Sequence, residues 1–570
     1  MYKELFGVFD DADAFRRFRT GDEYDAVVAG EHLTVGLRDP ALGVTGRSDV
    51  YEHETGHCVV WGEAFCPTGG EDVAAWLADA YAERGTDALA ALNGSYLVAL
   101  EHGDEGLVAT DPIRSWECFY TDAPGTRVFG SDAASVGRTV DAPRVSRRAL
   151  REFLHLSVVF GRRTLLESVS RVPFDATLEP DGVTPLDRFV YDPAEFDYAA
   201  ELARRLRTAI ERRSDYPGET GLLLSAGYDS RVLLAELPHV SRCYTVGDSD
   251  GEEVTRAAEL AAQYGVSHTA LDSTDDYLLV DANKSRYGQG IKESLHVHHA
   301  DQTDAIGVDS VYHGLLWDTL FRGHFLEPST LSVGGIEVPL GGLDPDADPV
   351  DALLGRIGYT ETGSHRLRDF SGVGPDDHEA FARRAVAEAV DDVRERTVDD
   401  DRAVDVQNVI DACGIVNQPT LPFRTHLADN FLESFVAVDS ALLDWHLRTP
   451  PEHRSTETFL AAARRLDSDI LRHRPPNRPY DSALLNGAVD RCRRTLPFVD
   501  HDSASWPSRT ENFERHRLDQ RLFPERGYLH ELRPRHKLRV ADVERWIGDC
   551  LDADVDRDPL AGLDAGLRSR

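Results

Sequence analysis

The sequence has few lysines, one methionine and no long apolar run. Among its 570 residues, the 62 basic ones include only four lysines, and the single methionine is residue 1. No stretch approaches the roughly 18–20 consecutive apolar residues that a membrane-spanning helix needs. The opening MYKELFGVFD lacks the basic start and the apolar run of a signal peptide. These absences predict a cytoplasmic protein with no membrane partner.

Cysteine is also scarce, and its spacing does not favour a metal or disulfide site. The seven cysteines are scattered, odd in number and never form a C-x-x-C pair. This pattern argues against a disulfide framework and a structural zinc site. We therefore expect buried, reduced thiols. The run 296–299, HVHH, has no matching set of ligands elsewhere, so we expect a partly exposed helix or loop there and no metal.

Negative charge dominates the composition. The chain has 100 acidic residues against 62 basic ones, a net charge of -38 and a pI near 4.9. Such a field repels phosphate, which excludes free nucleic acid as a general partner. Acidic, lysine-poor chains suit a cytoplasm with molar salt, where the Debye length is about 3 Å. A GC-rich genome gives the same composition, and a halophilic, haloarchaeal source fits both explanations.

The pattern of apolar residues divides the chain into two parts. Before residue 140, short apolar runs lie between Gly and Asp turns and predict strands: HCVVWG, SYLVAL, GLVATD and RVFGSD. Apolar spacing predicts helices over 71–84, 145–161 and 196–213. From residue 221 onward, short apolar runs alternate with helical segments. That alternation predicts a doubly wound parallel sheet.

The stretch 222–231, LLLSAGYDSR, carries most of the functional information. It places a turn of small residues between a buried strand and a helix. Polyphosphate binding needs this arrangement, because exposed N–H groups, hydroxyls and a helix N-terminus favour anionic oxygens. Asp229 would stand beside phosphate only with a bridging divalent cation, for which Mg²⁺ is the physical answer. The alternative is that Ser225 and Asp229 are ordinary turn and capping residues.

This run resembles the S-G-G-x-D-S loop of N-type ATP pyrophosphatases, with Ala226 in place of one glycine. NAD synthetases, GMP synthetases, tRNA-thiolation enzymes and asparagine synthetases share that loop. Three earlier stretches resemble the glutaminase-like domain of asparagine synthetases in particular. They are LNGSYLVAL (92–100), VATDPIRSWECFY (108–120) and RVFGSDAASV (127–136), and the segment 145–178 resembles the linker that follows in that family.

Three later stretches resemble the synthetase domain of the same family. They are GEEVTRAAELAAQYGVSHTALD (251–272), VYHGLLWDTLFRGHF (311–325), which is similar to the second phosphate motif, and LADNFLESFVAVDSALLDW (427–445). The resemblance is colinear over about residues 1–480. NAD- and GMP-synthetase-type enzymes lack this N-terminal arrangement, which disfavours them.

The resemblance implies an α/β and α+β fold in four parts. Residues 1–140 would form a degenerate glutaminase-like domain, an Ntn-hydrolase-like β-sandwich layered with helices. Residues 141–195 would form a linker with connecting helices. Residues 196–490 would form a doubly wound parallel-sheet ATP-pyrophosphatase domain with a helical C-terminal part. Residues 491–570 would be a helical or irregular C-terminal extension.

The resemblance also implies a set of site residues. ATP and Mg²⁺ would be the cofactors, and Asp229 and Asp318 would hold the metal. The catalytic residues would be Asp229, Asp318 and Glu433, the last contacting the incoming substrate or amine. For Asp318 and Glu433 the alternative is a solvated helix carboxylate. The nucleotide would bind Leu224, Ser225, Ala226, Gly227, Tyr228, Asp229, Ser230, Arg231, Val246, Gly247, His313 and Gly314.

The N-terminal part departs from the family at two places. Position 2 is Tyr2, where glutamine-hydrolysing members expose a nucleophilic cysteine. The oxyanion-hole Asn-Gly of the family is replaced by Trp61-Gly62. We therefore expect the fold without glutaminase activity, and ammonia or another amine as the nucleophile.

The synthetase part departs as well. Leu315 stands where the second phosphate motif has a glutamate, and no lysine lies between Lys292 and Lys537. The lysines that neutralise pyrophosphate in the family are therefore missing. A fixed cation over phosphate is still required, and arginines would supply it: Arg231, Arg454, Arg472 or Arg478.

The sequence therefore predicts an ATP-dependent amide ligase of the asparagine synthase type, with a role in asparagine and amino-acid biosynthesis. It would adenylate a carboxylate, by default aspartate, release pyrophosphate and transfer ammonia or another amine. One alternative is a different acid, as in the β-lactam synthetase and lasso-peptide cyclase relatives. Another is a catalytically degenerate nucleotide-binding member. A homodimer is compatible with the sequence.

Overall fold

A computed structural model provides the structure of the protein. It describes residues 3–67, 69, 72–274, 276–333, 336–357, 377–397, 405–476, 509–552 and 555. Tyr2 and Arg478 lie outside the described residues, as does much of the range 491–570. The four predicted domain ranges stay predictions.

The first part of the chain forms two antiparallel sheets of six strands each. One has the order β10-β8-β9-β1-β3-β2, and its strands are β1 Glu4–Val8, β2 Ala26–Ala29, β3 Thr34–Arg38, β8 Phe119–Ala123, β9 Thr126–Gly130 and β10 Ser170–Arg171. The other has the order β12-β11-β7-β6-β5-β4, and its strands are β4 Asp49–His53, β5 Gly56–Phe65, β6 Asn93–His102, β7 Glu105–Thr110, β11 Ala176–Leu178 and β12 Val183–Pro185.

The two sheets stack face to face because side chains alternate along each strand. In β5, Trp61 is buried between the sheets together with Leu37 of β3. Its neighbour Val60 points the other way and packs with helix α2, Val73–Arg84. Helix α1, Ala12–Arg16, covers the outer face of the first sheet. The result is four layers in the order helix, sheet, sheet, helix.

The second part of the chain is built on a parallel sheet with the order β15-β14-β13-β16-β19. All four neighbouring pairs are parallel. Its strands are β13 Thr220–Leu223, β14 Val240–Val246, β15 Ser267–Leu271, β16 Ser310–Tyr312 and β19 Leu432–Ser434. Two further strands, β17 Pro328–Val333 and β18 Ile336–Leu343, pair with each other.

Helices surround this sheet and share the largest apolar core of the protein with it. An amphipathic pattern such as that of α5, whose buried residues include Leu202, Leu206 and Ile210, explains the packing. These helices are α5 Tyr198–Glu211, α6 Asp229–Glu236, α7 Glu252–Gln263, α9 Trp317–Arg322, α10 Pro349–Arg356, α11 Asp377–Thr397, α12 Val406–Val416, α13 Leu421–Asn430, α14 Ser440–Arg448 and α15 Thr456–Leu466. Three further helices, α3 Ala133–Gly137, α4 Arg147–Leu156 and α8 Ala282–Gly288, pack mainly elsewhere.

Residues 509–552 are largely helical and pack against the middle of the chain. Leu538 and Trp546 share one apolar cluster with Leu150 of α4. Buried Arg539 donates to Glu293 at 3.0 Å. The helices are α16 Arg509–Arg515, α17 Leu518–Leu522 and α18 Pro534–Arg545, which continues as the π-helix Trp546–Leu551.

The predicted mixed fold agrees with the structure at the level of its layers, since antiparallel sheets precede a parallel sheet flanked by helices. The helix predicted over 145–161 is shorter. It ends at Leu156, because Ser157 has a φ of 65° and takes the left-handed conformation. Within the described residues, no helix combines the length and the apolar character needed to cross a membrane.

Candidate functional site

The loop 224–228 lies where the parallel sheet reverses its winding. It joins β13 to α6, and the neighbouring strand β16 ends at the same edge. Strands β14 and β15 extend the sheet on one side of β13, whereas β16 and β19 extend it on the other. At such a reversal a crevice opens beyond the carboxyl ends of the strands, where ligands of open α/β sheets bind. The predicted phosphate loop therefore lines this crevice.

Two serines fix the shape of the loop. The Ser225 N–H donates to Oγ of Ser230 at 3.1 Å, and the Ser230 hydroxyl also approaches the Ser225 carbonyl at 3.2 Å. The Gly227 N–H donates to Oγ of Ser225 at 3.2 Å. At the base of the loop, buried Leu224 donates its N–H to the carbonyl of Tyr244 at 2.8 Å. Both hydroxyls are thus engaged within the loop.

Arg231 has a different role from the one predicted. Its side chain is fully buried, and its guanidinium donates to the carbonyls of Gly227 at 2.8 Å and Ala226 at 2.7 Å. It also donates to the carbonyls of Ile470 and His473. Burial lowers the pKa of Arg231 to about 10. Arg231 therefore shapes the loop from inside and does not face a ligand.

A carboxylate that sequence reasoning missed also touches the loop. Glu253, in the first turn of α7, accepts a hydrogen bond from the Ala226 N–H. Burial raises the pKa of Glu253, and that bond opposes the rise. The position of Glu253 just after β14 was visible in the sequence, but its approach to Ala226 depends on the packing of α7 against the sheet.

Gly314 brings the loop after β16 against the start of α6. A Cβ atom at Gly314 would lie 2.9 Å from Cβ of Asp229 and 3.2 Å from the Ser230 nitrogen. Real Cβ atoms do not approach that closely, so only glycine fits here. The two predicted phosphate-binding segments therefore meet, with Gly314 directly beside Asp229.

Asp229 is paired with an arginine that the sequence did not single out. Nη1 of Arg322 lies 2.8 Å from Oδ1 and 3.1 Å from Oδ2 of Asp229. The two side chains are 14% and 19% exposed. The guanidinium also lies 5.8 Å from the ring centroid of Tyr228, whose other neighbour, Arg231, lies at 5.5 Å. Arg322 follows Asp318 by four residues on α9, a spacing that could have drawn attention to it.

The second predicted metal ligand has its own partners. Oδ1 of Asp318 accepts from the Thr319 N–H at 2.9 Å, and Oδ2 lies 3.6 Å from Nδ1 of His324. Because Arg322 already contacts both oxygens of Asp229, the two carboxylates do not form a ready cage for Mg²⁺. Among the described residues, no three side chains of His, Cys, Asp or Glu form a group that could hold a metal.

The residues predicted to bracket the adenine lie at the end of β14. Val246 pairs with Leu271 of β15, and the Gly247 N–H donates to the carbonyl of the same residue at 2.9 Å. Gly247 has a φ of 151°. Both residues stand at the carboxyl edge of the sheet, beside the strand that leads into the loop. Their contact with a base stays a prediction.

His313 and Glu433 meet, but in the protein interior. Nε2 of His313 donates to Oε1 of Glu433 at 2.8 Å, since Nδ1 accepts from the Leu315 N–H. Arg424 donates to both oxygens of Glu433, at 3.2 and 3.0 Å. Burial by itself would raise the pKa of Glu433, but the Arg424 charge and the His313 bond lower it to about 2. The alternative of a solvated helix carboxylate is therefore wrong for Glu433, which is 1% exposed in β19.

Glu433 also lines a cavity of about 480 Å³ between the antiparallel sheets and the parallel sheet. Charged side chains of both signs line it, among them Lys3, Asp39 and Arg47. Arg47 donates to the Glu433 carbonyl and stacks on Tyr216. Its Nε and Nη2 are buried and have no hydrogen-bond partner within the described part of the chain. Apolar side chains such as Trp116 line the cavity as well, and both halves of the protein contribute to its walls.

Other residues singled out in the sequence are structural. Arg454 is 1% exposed and donates to Asp411 at 2.7 Å, so it does not reach the loop; Arg472 is exposed near the surface. The HVHH run forms short helical turns, and His299 is buried with Nε2 at 2.9 Å from Nδ1 of His426. The expected partial exposure is therefore wrong for His299.

Comparisons with known proteins give little further information. No family model matches the chain, and no curated protein matches it. Two solved structures resemble it in part: glutamine phosphoribosylpyrophosphate amidotransferase from B. subtilis complexed with ADP and GMP, and the allosteric regulatory enzyme of purine biosynthesis. They are 11% and 12% identical and cover 63% of this chain, with 83% and 82% of their own chains matched. Both TM-scores are 0.21, which is too low to establish a common fold.

Proposed function

We propose that this protein is an ATP-dependent amide ligase of the asparagine synthetase type. The observation that carries this proposal is the segment Ser225–Ser230, hereafter the Ser225–Ser230 loop, which comprises the loop after β13 and the first two residues of α6 at the reversal point of the parallel sheet. The loop after β16 abuts it through Gly314. The Ntn-hydrolase-like and ATP-pyrophosphatase assignments of the two parts belong to the same proposal.

The chemistry requires two steps. A carboxylate oxygen of the substrate attacks the α-phosphorus of ATP, the bond to the β-phosphate oxygen breaks, and pyrophosphate leaves. An amine nitrogen then attacks the acyl carbon, AMP leaves with the acyl-oxygen bond electrons, and the amine loses a proton. The protein contributes positioning of the two reactants and stabilisation of the departing charge. Aspartate with ammonia is the default substrate pair.

Two buried cysteines of the N-terminal part support the part of the proposal that assigns no intrinsic glutaminase to this protein. Burial raises the pKa of Cys58 and of Cys118, which keeps both as unreactive thiols. The Gly62 N–H already donates to Oγ of Ser48 at 2.9 Å, and Trp61 packs against Trp116. Ammonia or another free amine is then the nitrogen donor.

A second candidate is a nucleotide-binding protein without turnover. The contacts on the loop favour it, since Glu253 accepts from the Ala226 N–H and Arg322 contacts the Asp229 carboxylate. ATP can react in this loop only if its phosphates bind there in the presence of both of these side chains. A ligase acting on another acid remains the runner-up within the first proposal, because Leu315 replaces the glutamate of the resembled motif.

The test is pyrophosphate release from ATP in molar KCl with Mg²⁺, with aspartate and a panel of other carboxylic acids, each with and without ammonia. We expect acid-dependent release that falls at least about 100-fold in Asp229→Ala, because the substitution removes the carboxylate that holds Arg322 beside the loop. Glu252→Ala is the matched control, because Glu252 lies exposed in the first turn of α7. Nucleotide binding without release for any acid would favour the second candidate, and no nucleotide binding would refute both.

A further inference from the structure

We propose that Arg322 is the fixed cation of the Ser225–Ser230 loop and takes the place on Asp229 that a divalent metal would take. The inference rests on the proposed function, in which this loop binds the phosphates of ATP. Under this proposal the protein itself supplies the positive charge that neutralises the ATP phosphates. Nucleotide binding is then independent of Mg²⁺.

The first support is the contact itself. One nitrogen of Arg322 lies within 3.1 Å of both oxygens of Asp229, so the guanidinium covers the face of the carboxylate that a bridging metal would need. Both side chains are largely buried, at 14% and 19% exposure. A desolvated, charge-assisted pair of this kind is stronger than a surface ion pair. A metal would have to displace Arg322 to reach Asp229.

The second support is that Arg322 is held in position. Helix α9 follows the loop whose Gly314 abuts the start of α6, so Arg322 and Asp229 are brought together by the backbone. The Tyr228 ring lies 5.8 Å from the guanidinium. The Nε–H of Arg322 is buried and, among the described residues, has no acceptor. This donor is thus left without the hydrogen bond that a phosphate oxygen could supply on binding.

The third support is the surrounding charge. Asp229 and Glu253 place two carboxylates against the loop, and phosphate would be repelled by both. Asp318 has contacts of its own, with the Thr319 N–H at 2.9 Å and with His324 at 3.6 Å. Arg231 is bonded to carbonyls and cannot serve as the cation. Arg322 therefore supplies the compensating charge at this position, and we derive no step through Mg²⁺ bound to Asp229.

The first measurement is the affinity of the full chain for ATP by calorimetry in molar KCl, once with EDTA and once with excess Mg²⁺. For the wild type we expect dissociation constants that agree within about threefold. Arg322→Gln should weaken binding at least about tenfold in EDTA, which is about 1.4 kcal/mol, and recover in Mg²⁺. Arg322→Lys should keep most of the EDTA affinity. Arg526→Gln is the matched control, because it breaks another half-buried pair, with Glu544.

The second measurement uses Mn²⁺ alone, detected by electron paramagnetic resonance. We expect Arg322→Gln to gain one Mn²⁺ site relative to the wild type, because the guanidinium no longer contacts both oxygens of the Asp229 carboxylate. The added substitution Asp229→Asn should remove that site. This readout needs neither nucleotide nor catalysis.

The outcomes separate the two proposals. Wild-type ATP binding that requires Mg²⁺, by about 100-fold or more, would overturn the role of Arg322 and leave the ligase proposal standing. A wild-type Mn²⁺ site that disappears in Asp229→Asn would overturn it as well. If ATP fails to bind in either buffer, the proposed function is wrong, and the Mn²⁺ titration still decides whether Arg322 replaces a metal on Asp229.

Discussion

Gly314 is the residue at which the loop after β16 touches the start of α6. A methyl group there would lie 2.9 Å from Cβ of Asp229, and the neighbouring backbone would have to move. We expect Gly314→Ala to cost about 1–3 kcal/mol of stability, as overpacking does, and to weaken ATP binding about tenfold or more. Calorimetric titration with ATP and thermal melting measure the two effects.

The control for that substitution is Gly307→Ala. Gly307 precedes the same strand, β16, and a Cβ atom there would meet nothing within 4 Å. The variant should bind ATP as the wild type does. An equal loss of binding in both variants would mean that general destabilisation, and not the contact with Asp229, is responsible.

Single residues of the site were predictable where the signal is local. The small residues and serines of the loop follow a strand directly, so the segment Ser225–Ser230 could be identified from the sequence. The partners of that loop could not. Arg322 is one arginine among many, and its contact with Asp229 arises from two segments about 90 residues apart in the chain. Arg231 has the right charge and place in sequence, but its four carbonyl partners become visible only in the folded chain.

Secondary-structure elements were also predictable where their signal is local, and not where they depend on distant parts of the chain. Strands β13 and β14 and helices α6 and α7 were predictable, because each has its own apolar period and its own turn. Strand β19 has three residues, and its pairing with β16 depends on register across the intervening chain. The hairpin of β17 and β18 also lacks a strong local signal. For this reason the sequence left a solvated helix carboxylate open as the alternative for Glu433. In the structure Glu433 lies in the buried strand β19.

Helix α18 carries a buried carboxylate that makes stability depend on pH. Burial raises the pKa of Asp542 to about 7, although Ser294 and Ser285 donate hydrogen bonds to it. The unfolded value is about 3.9. Between these values the folded state binds more protons, so the free energy of unfolding falls as pH rises from about 4 to about 7. Asp542→Asn should abolish this fall and be more stable than the wild type at about pH 8, by up to about 4 kcal/mol.

Denaturation in urea at several pH values checks this expectation. Asp549→Asn is the control, since Asp549 lies in the same C-terminal segment, is 40% exposed and pairs with Arg545. It should leave the pH dependence unchanged. If the free energy of unfolding changes with pH in the same way in the wild type and in Asp542→Asn, Asp542 is not the source of the effect.

In the whole molecule, a buried ionic network joins the antiparallel and parallel parts. Glu63 of β5 accepts from Arg213 at 3.0 Å, from Tyr216 at 2.6 Å and from Ser434 of β19 at 2.9 Å. Arg213 also contacts Asp439. Glu63→Ala leaves part of the Arg213 charge without its partner, and removal of one member of a buried pair costs about 3–5 kcal/mol. Urea denaturation in molar KCl measures this loss.

An exposed pair provides the comparison. Asp13 and Arg16 are 86% and 61% exposed, so Asp13→Ala should change stability by less than about 0.5 kcal/mol. If Glu63→Ala were equally mild, the network would not be what holds the two parts together.

Strand β19 is synthesised long after its partner β16, and this delay affects folding on the ribosome. Ser310 of β16 pairs with Leu432 of β19, so 432 − 310 = 122 residues separate the partners. At about 5–20 residues per second, roughly 6–25 s pass on the ribosome before the second strand emerges. Throughout that interval β16 presents unpaired backbone groups to any neighbouring strand. Synonymous codons that slow translation between the two strands would lengthen the interval, and they should lower the yield of folded protein without altering a single amino acid.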